Sequence, residues 1–347
     1  MCERTVTMAK NVYGLDLGSY EIKVYDKKKN AIWREKNTIA IANEDEIFSV
    51  GDEAYEMFEK APDNIEVVFP MKEGVISHFY DMQYLLNNLL KKERHFARGS
   101  KYIVAVPTDV TEVEKKAFFD LVVHSTAKAK EVNVVERAVA DAIGIGLDIQ
   151  NSPGIFIANF GGETTELSVL ASGGMVLNKL VKTGGAMLDN AISSLVRHTT
   201  DFLIGRLTAE KLRQHFDVFD EKTDTSMEVA GRDLITGVPQ QKEISVNLVR
   251  AAVKEPLAAC IREIDLLLER TPPEVRKSIE MNGIYVTGGL AHMKGLAEYI
   301  EGRTGIKAQA VKNPDVCVVE GLKQIIQSKE LRKLTFSMLD ENYRWMG

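Results

Sequence analysis

Two similar glycine-containing stretches constrain the fold of this chain more than any other feature. The first, residues 14–23, reads GLDLGSYEIK, and the second, residues 157–166, reads IANFGGETTE. Each follows a short apolar run and leads into another, which predicts a strand, a glycine turn and a second strand. We call them the first and second glycine hairpins. Their repetition indicates a duplicated fold in which both hairpins serve one site.

The remaining pattern predicts an α/β fold. Strands and helices alternate in each half of the chain, and 347 residues suit about two domains. Apolar spacing predicts a helix over 79–92, and a capping box of Thr111 with Glu114 predicts a helix that ends at Val123. Residues 217–246 are polar and predict turns, with a short extended piece around Ser226 to Val229. The other predicted helices cover 138–146, 186–204, 208–216, 247–270, 293–304 and 317–328.

Composition narrows the function classes. The net charge of −6 argues against broad, unspecific nucleic-acid binding. The cysteines Cys2, Cys260 and Cys317 are far apart, without metal or redox spacing, and suit a reducing cytosol. The first ten residues lack an apolar signal-peptide core, and no run approaches the roughly 18 apolar residues of a membrane span. We therefore expect a cytoplasmic protein.

Glycine turns of this kind suit phosphate binding. A phosphate needs several N–H donors that converge on it, and only small residues let the backbone approach its oxygens. Two such turns would hold one polyphosphate from both sides. Asp16, at the end of the first predicted strand, is placed to hold a water of Mg²⁺, and Lys23 would balance phosphate charge. An ordinary hairpin with a surface lysine is the alternative.

A third glycine element strengthens this interpretation. Residues 283–290 read GIYVTGGL, which predicts a buried strand that runs into Thr-Gly-Gly and then a helix from about Met293. Such a turn suits close approach of backbone to a nucleotide. A lone Gly-Gly turn is weak evidence, but three glycine elements in this order and spacing are much stronger.

The motifs resemble the MreB family of bacterial actin homologues, within the superfamily of actin, sugar kinases and heat-shock chaperones. The similarity covers nearly the whole chain. Stretches typical of the family are VGDEAYEMFEKAPDNI (50–65), PMKEGVISHF (70–79), VAVPTDVTEVEKKA (104–117), SMEVAGRDLITGVPQ (226–240), LLERTPPEV (267–275), GIYVTGGLAHMKGL (283–296) and NPDVCVVEGL (313–322). The resemblance implies an actin-like duplicated ribonuclease-H-like fold, with two domains around a nucleotide cleft.

The resemblance also implies the domain boundaries. Domain I would cover 1–150, with a small subdomain at about 32–75. Domain II would cover 151–316, with a small subdomain at about 188–254. The C-terminal segment, 317–347, would return to domain I.

A bound ATP with Mg²⁺ is implied between the two halves. The positions that match the family's phosphate and adenosine contacts are Asp16 (also the metal position), Gly18, Ser19, Lys23, Gly161, Gly162, Thr164, Thr165, Gly288 and Gly289. The segment 208–213 matches the family helix that covers ribose and adenine. There Glu210 would accept ribose hydrogen bonds and Arg213 would lie over the base. A solvated helix pair at i, i+3 is the alternative for these two side chains.

The chain departs from the family at four positions near the implied phosphates and adenosine. It has Arg137, Asn159, Glu163 and Leu290 where members usually carry Glu, Asp, Gly and Gly. An arginine cannot act as a base at any accessible pH, and the Asn159 amide brings no charge to organise Mg²⁺ and water. Losing a general base costs about 10²–10⁴-fold in rate. We therefore expect ATP binding with very slow or absent hydrolysis, and no intact catalytic residue.

A second hypothesis follows from charge. Arg137 and Glu163 would flank the same γ-phosphate space, so they could form an ion pair across the site. In the alternative, Glu163 turns outward and Arg137 is solvated.

The resemblance implies a cytoskeletal protein that self-associates into filaments and helps to determine rod cell shape. The alternative is a nucleotide-locked paralogue that regulates or co-assembles with an active MreB. Other MreB paralogues and membrane-bound cell-wall elongation proteins are the implied partners, and no nucleic acid is expected. A basic loop at 91–101 with one aromatic, Phe96, suits weak attachment to the inner face of the membrane. A solvated basic loop is the alternative.

Overall fold

The computed structural model describes residues 11–43, 46–92 and 99–339. These residues form two units. One contains the chain up to Gly146 together with the residues from Val318 onward, and the other runs from Leu147 to Cys317. The sequence-based expectation put the divisions after 150 and after 316. The basic loop predicted to attach to the membrane centres on Phe96, which lies outside the described residues.

The first unit contains ten strands and four helices before its C-terminal part, in the portion of it that the structure describes. The strands are β1 (Val12–Leu17), β2 (Glu21–Asp26), β3 (Ala31–Lys36), β4 (Ile39–Ala42), β5 (Glu46–Val50), β6 (Ile65–Val68), β7 (Met71–Lys72), β8 (Val75–Ile76), β9 (Lys101–Val106) and β10 (Glu131–Glu136). The helices are α1 (Asp52–Met57), α2 (Phe79–Lys92), α3 (Glu112–Val123) and α4 (Arg137–Gly144).

The second unit follows with eight strands and five helices. The strands are β11 (Ile155–Phe160), β12 (Thr165–Ala171), β13 (Gly174–Val181), β14 (Phe202–Leu203), β15 (Ser226–Asp233), β16 (Pro239–Ser245), β17 (Ile284–Thr287) and β18 (Ala308–Ala310). The helices are α5 (Gly185–Thr200), α6 (Arg206–His215), α7 (Val246–Arg270), α8 (Pro273–Asn282) and α9 (Leu296–Thr304). The last α-helix among the described residues, α10 (Cys317–Gln327), begins at the division and continues in the first unit.

The main sheets of the two units have the same design. In the first unit the strand order is β10-β9-β1-β2-β3, and in the second it is β13-β12-β11-β17-β18. Each sheet has three consecutive antiparallel strands, β1-β2-β3 or β11-β12-β13, followed by two parallel ones. Each places a glycine hairpin at its centre. The α/β class and the duplication predicted from the sequence are confirmed.

Smaller sheets accompany each main sheet. In the first unit β5-β4-β6 form three strands, and in the second β14-β15-β16 do so. The extended piece predicted around Ser226 to Val229 lies in β15. The turns predicted for the rest of 217–246 were wrong for the remainder of β15 and for β16, because Ser226–Asp233 and Pro239–Ser245 pair as a long antiparallel hairpin. Few of its side chains are buried, Val229 and Ile244 among them, so the apolar alternation that reveals a strand is weak.

Each unit has its own apolar core. In the first, β1, β2 and β9 pack their buried side chains against α2 and α3, and the stacked rings of Tyr13 and Tyr102 lie 5.4 Å apart. In the second, β11 and β12 pack against α5 and α7. Within residues 11–43, 46–92 and 99–339 no helix combines the length and the apolar character that a membrane crossing needs.

Candidate functional site

The first glycine hairpin is the β1–β2 connection. Asp16 and Lys23 are direct cross-strand partners, with Gly18, Ser19 and Tyr20 in the turn beyond them. A Cβ at Gly18 would lie 2.7 Å from the backbone oxygen of Glu21, so only glycine lets the turn close in this way. The structure therefore brings four of the predicted phosphate-binding residues to one strand end.

Basic side chains surround Glu21 beside this turn. The Lys23 ammonium lies 3.3 Å from one Glu21 carboxylate oxygen, and the Lys36 ammonium lies 3.3 Å from the other. Arg34 approaches the same carboxylate at 3.6 Å. Three basic groups around one carboxylate leave the turn with a positive excess, which suits an anion.

Arg137 occupies the other side of Asp16. It is the first residue of α4, directly after β10, and its Nε lies 3.5 Å from Asp16 Oδ1. Its Nη2 donates a hydrogen bond to the Leu17 carbonyl at 3.3 Å. The Arg137 and Asp16 side chains are only 10% and 9% exposed. The guanidinium is thus held against the end of β1, directly before the Gly18 turn.

The surroundings of Asp16 do not fit a resident Mg²⁺ ion well. A divalent cation at this carboxylate would share it with a guanidinium that is buried and always charged. In the second glycine hairpin, the position equivalent to Asp16 is Asn159, an uncharged amide.

The second glycine hairpin repeats the backbone of the first. Asn159 pairs with Glu166 across β11 and β12, as Asp16 pairs with Lys23 across β1 and β2. A Cβ at Gly161 would lie 2.9 Å from the Thr164 oxygen, which matches the close contact at Gly18. Both turns therefore need glycine for the same reason.

The first residues of α5 donate hydrogen bonds to the carbonyl groups of the second glycine turn. Ala186 N–H donates to the Gly162 carbonyl at 2.7 Å, and Gly185 N–H donates to the Gly161 carbonyl at 3.1 Å. A Cβ at Gly184 would lie 2.5 Å from the Glu163 backbone. Sequence reasoning missed these supporting glycines, although the run Lys182-Thr183-Gly184-Gly185 was the available signal.

The two predicted threonines of this hairpin have different surroundings. Thr165 is fully buried and donates its hydroxyl to the Thr183 carbonyl at 2.7 Å, so its side chain secures the fold. Thr164 is buried in the turn, and Glu163 beside it is half-buried.

The third glycine element meets the second hairpin at one end of the sheet. β17 runs parallel to β11, with Asn159 opposite Thr287, so both carboxyl ends point to the same edge. Gly288 has φ 84°, and a Cβ there would lie 2.6 Å from the Asn159 side-chain oxygen. Gly289 begins a short 3₁₀ turn, Gly289–His292. The predicted adenosine and phosphate elements of this unit are therefore adjacent.

Leu290 fills space that glycine would leave empty. It is buried in the core of the second unit. A Cβ at Gly185 would lie 3.5 Å from a Leu290 methyl carbon, which places Leu290 beside the start of α5. This departure from the family pattern thus contributes to packing.

Arg213, on α6, forms a buried ion pair with Asp189, on α5. Its Nε donates to Asp189 Oδ1 at 2.7 Å and its Nη2 donates to Oδ2 at 3.2 Å. The alternative of a solvated pair is wrong for Arg213, which is only 7% exposed. Burial raises the pKa of Asp189, and the hydrogen bonds from Arg213 oppose that rise. The Glu210 carboxylate lies 3.8 Å from Arg213 Nη2 and also accepts from Gln214 at 3.1 Å.

Comparison with known proteins identifies the family. The family model described as MreB/Mbl protein matches residues 10–334. The cell shape-determining protein MreB of Escherichia coli K12 is 32% identical over 323 residues, which cover 90% of this chain and 92% of that protein. The cell shape-determining protein Mbl of Bacillus subtilis 168 is 30% identical over 312 residues, which cover 89% of this chain and 93% of that protein.

Solved structures agree with this assignment. MreB5 of Spiroplasma citri has been solved with ADP and with AMPPNP bound, with TM-scores of 0.87 and 0.88 to this chain. Both are 27% identical, and they cover 93% and 94% of this chain and 98% of theirs. The MamK double helical filament, at 18% identity and TM-score 0.75, shares the fold over 92% of this chain and 99% of its own. The chain belongs to the MreB/Mbl family of cell shape-determining proteins and has the actin-like fold.

Proposed function

We propose that this chain is a cytoskeletal protein that binds ATP, forms filaments and helps to determine rod cell shape. The repeated turn geometry of the two glycine hairpins carries the nucleotide part, because both hairpins have, at a strand end, a turn that requires glycine. Turns of this kind suit the binding of phosphate by backbone N–H groups. The relative from Spiroplasma citri, bound to ADP and to AMPPNP, supports the same ligand class. Filament formation rests on family membership.

Within this proposal each unit contributes its own residues. Those of the first unit are Asp16, Gly18, Ser19 and Lys23; those of the second are Gly161, Gly162, Thr164, Thr165, Glu210, Arg213, Gly288 and Gly289. Arg213 would contact the base through its guanidinium, which the two hydrogen bonds to Asp189 hold in one orientation. The Mg²⁺ at Asp16 expected from the sequence stays a prediction, and it would have to coexist with Arg137.

Hydrolysis is proposed to be very slow or absent. Arg137 carries a permanent positive charge at the position where the family resemblance implies a base, and Asn159 carries no charge at the second position. The loss of a base alone lowers a rate by about 10²–10⁴-fold. The ion pair between Arg137 and Glu163 stays a separate prediction, since the contact that supports this proposal is the one with Asp16.

Calorimetry with ATP and a phosphate-release assay on the same preparation test this part of the proposal. The expected result is saturable binding with phosphate release near background. The double variant Arg137→Glu, Asn159→Asp should then gain phosphate release. Binding without any gain in the double variant would count heavily against these positions as the cause of slow hydrolysis.

The second candidate is a nucleotide-locked paralogue that regulates or co-assembles with an active MreB. The same Arg137 contact favours this second candidate, because a protein that does not hydrolyse ATP would stay in one nucleotide state. Pelleting and electron microscopy, with and without ATP, separate the two. Filaments formed by this chain alone support the first function, whereas assembly only with an active MreB supports the second. Family membership also leads us to propose a cytoplasmic location, either free in the cytoplasm or attached at the inner face of the membrane.

A further inference from the structure

We propose that the Arg137 guanidinium takes the place of a divalent cation at the first glycine hairpin, so that this chain binds ATP and ADP without Mg²⁺. This inference rests on the proposed nucleotide binding and adds the cation that accompanies it. The sequence predicts a metal ion at Asp16, whereas the structure places the Arg137 guanidinium beside that carboxylate.

The position of Arg137 is built into the fold. β10, which ends directly before Arg137, is separated from β1 only by β9, and all three strands are parallel. Their carboxyl ends therefore meet at one edge of the sheet, and α4 begins there. The contacts of Arg137 with Asp16 at 3.5 Å and with the Leu17 carbonyl at 3.3 Å fix the guanidinium at that edge.

The charges at this edge have the sum that a divalent cation would supply. Arg137 lies against Asp16 from α4. Lys23, the cross-strand partner of Asp16, lies with Lys36 and Arg34 around the neighbouring Glu21 carboxylate. Four basic groups thus accompany two carboxylates, which leaves an excess of two positive charges, as one Mg²⁺ ion would supply. The Arg137 and Lys23 side chains are largely buried, 10% and 11% exposed, so solvent screens them weakly.

Chemistry also favours a guanidinium in this role. Arginine presents planar N–H donors that match phosphate oxygens, and its charge persists at every accessible pH. Mg²⁺ acts on a nucleotide mainly by neutralising phosphate oxygens and by orienting them. A guanidinium fixed beside the Gly18 turn can do both without an exchangeable ion.

The experiment measures ATP and ADP affinity of the full chain by calorimetry in two buffers of equal ionic strength, one with Mg²⁺ and one with EDTA. The unsubstituted protein should bind with affinities that agree within about 3-fold, since the attraction comes from its own side chains. Arg137→Gln should weaken binding in EDTA by about 10-fold or more, and Mg²⁺ should recover part of the loss. Arg137→Lys, which keeps the charge, should stay independent of Mg²⁺.

A matched control is Arg276→Gln. Arg276 belongs to an exposed pair with Glu280 on α8, so removing its charge should change neither affinity nor Mg²⁺ dependence. Because Arg137→Gln leaves a largely buried Asp16 carboxylate with less neutralisation, Asp16→Asn combined with Arg137→Gln provides a second variant. The comparison of the two buffers with the unsubstituted protein requires no variant at all.

The outcomes separate this inference from the proposed function. Binding in neither buffer overturns both. Binding that falls by more than about 30-fold in EDTA keeps the proposed function and overturns the inference, because a metal is then required. Equal binding in both buffers for the unsubstituted protein and equally for Arg137→Gln overturns the assignment to Arg137.

Discussion

The buried pair of Asp189 and Arg213 allows a test of how much one buried ion pair contributes to the free energy of unfolding of the second unit. Asp189→Ala removes the acceptor of hydrogen bonds of 2.7 and 3.2 Å from a guanidinium that is 7% exposed. Removing one partner of a buried pair costs about 3–5 kcal/mol, because the remaining charge stays out of water. Glu210, at 3.8 Å from Arg213, offsets part of this cost, so we expect about 3 kcal/mol.

A surface pair of similar geometry serves as the control. Arg276 Nε and Glu280 Oε1 on α8 are 2.9 Å apart, but their side chains are 43% and 49% exposed. An exposed pair at i, i+4 is worth about 0.3–0.5 kcal/mol, so Glu280→Ala should change the free energy of unfolding by no more than that. The two substitutions thus compare ion pairs with similar contact distances at different burial.

Urea unfolding, followed by circular dichroism, measures both effects. With a slope of about 2 kcal/mol per molar, a loss of 3 kcal/mol lowers the unfolding midpoint by about 1.5 M. Hydrogen exchange of α5 and α6 locates the loss, since the two units can unfold in separate steps. The double variant Asp189→Leu, Arg213→Met should recover most of the stability, because it leaves no buried charge. Equal midpoints for Asp189→Ala and Glu280→Ala, or no recovery in the double variant, would refute the reasoning.

Three further perturbations have expected results. Gly321→Ala should lower the melting temperature, because the new Cβ would lie 1.7 Å from the Ala140 carbonyl oxygen. Overpacking costs about 1–3 kcal/mol, which is more than the gain in helix propensity from alanine. An unchanged melting temperature would contradict this contact. Burial raises the pKa of the Cys260 thiol, so alkylation of Cys260 at pH 8, read by mass spectrometry, should require unfolding. The contribution of the Cys260 thiol to the free energy of unfolding is full below the ordinary thiol pKa of about 8.5 and is lost as the pH rises through the pKa of the folded state. Thr111→Ala should cost about 1 kcal/mol in urea unfolding, because the Thr111 hydroxyl accepts from the Glu114 N–H, and Thr111→Ser should cost much less.

Elements with strong local signals were predicted well. The spacing of apolar side chains predicted a helix over 79–92, which is α2, and the capping box predicted α3, with Thr111 as its N-cap. β16 and α8 are among the elements that were missed. β16 exposes most of its side chains, and α8 begins at Pro273, a residue that is favoured in the first turn of a helix but is more often interpreted as a helix end.

The candidate site shows where local reasoning ends. The glycine hairpins could be found because each lies within ten consecutive residues. The contact between Arg137 and Asp16 could not, because it joins positions 121 apart and depends on the order β10-β9-β1. Charge suggested a pair of Arg137 with Glu163, which stays a prediction, but no signal in the sequence indicated the contact with Asp16 that arises where α4 begins beside the end of β1.

The proposed function combines nucleotide binding with slow hydrolysis, and the equal register of the two hairpins gives a physical reason why the two properties can be separated. Asp16 and Lys23 in the first hairpin correspond to Asn159 and Glu166 in the second, so the side chains differ in charge at both positions. The turns themselves are the same, since Gly18 and Gly161 each face a carbonyl oxygen that a Cβ would contact within 3 Å. Backbone N–H groups bind phosphate oxygens whatever the neighbouring side chains are, whereas activation of water needs a correctly placed carboxylate. Substitution at either glycine should therefore abolish nucleotide binding, while substitution at Asn159 should change only the rate of hydrolysis.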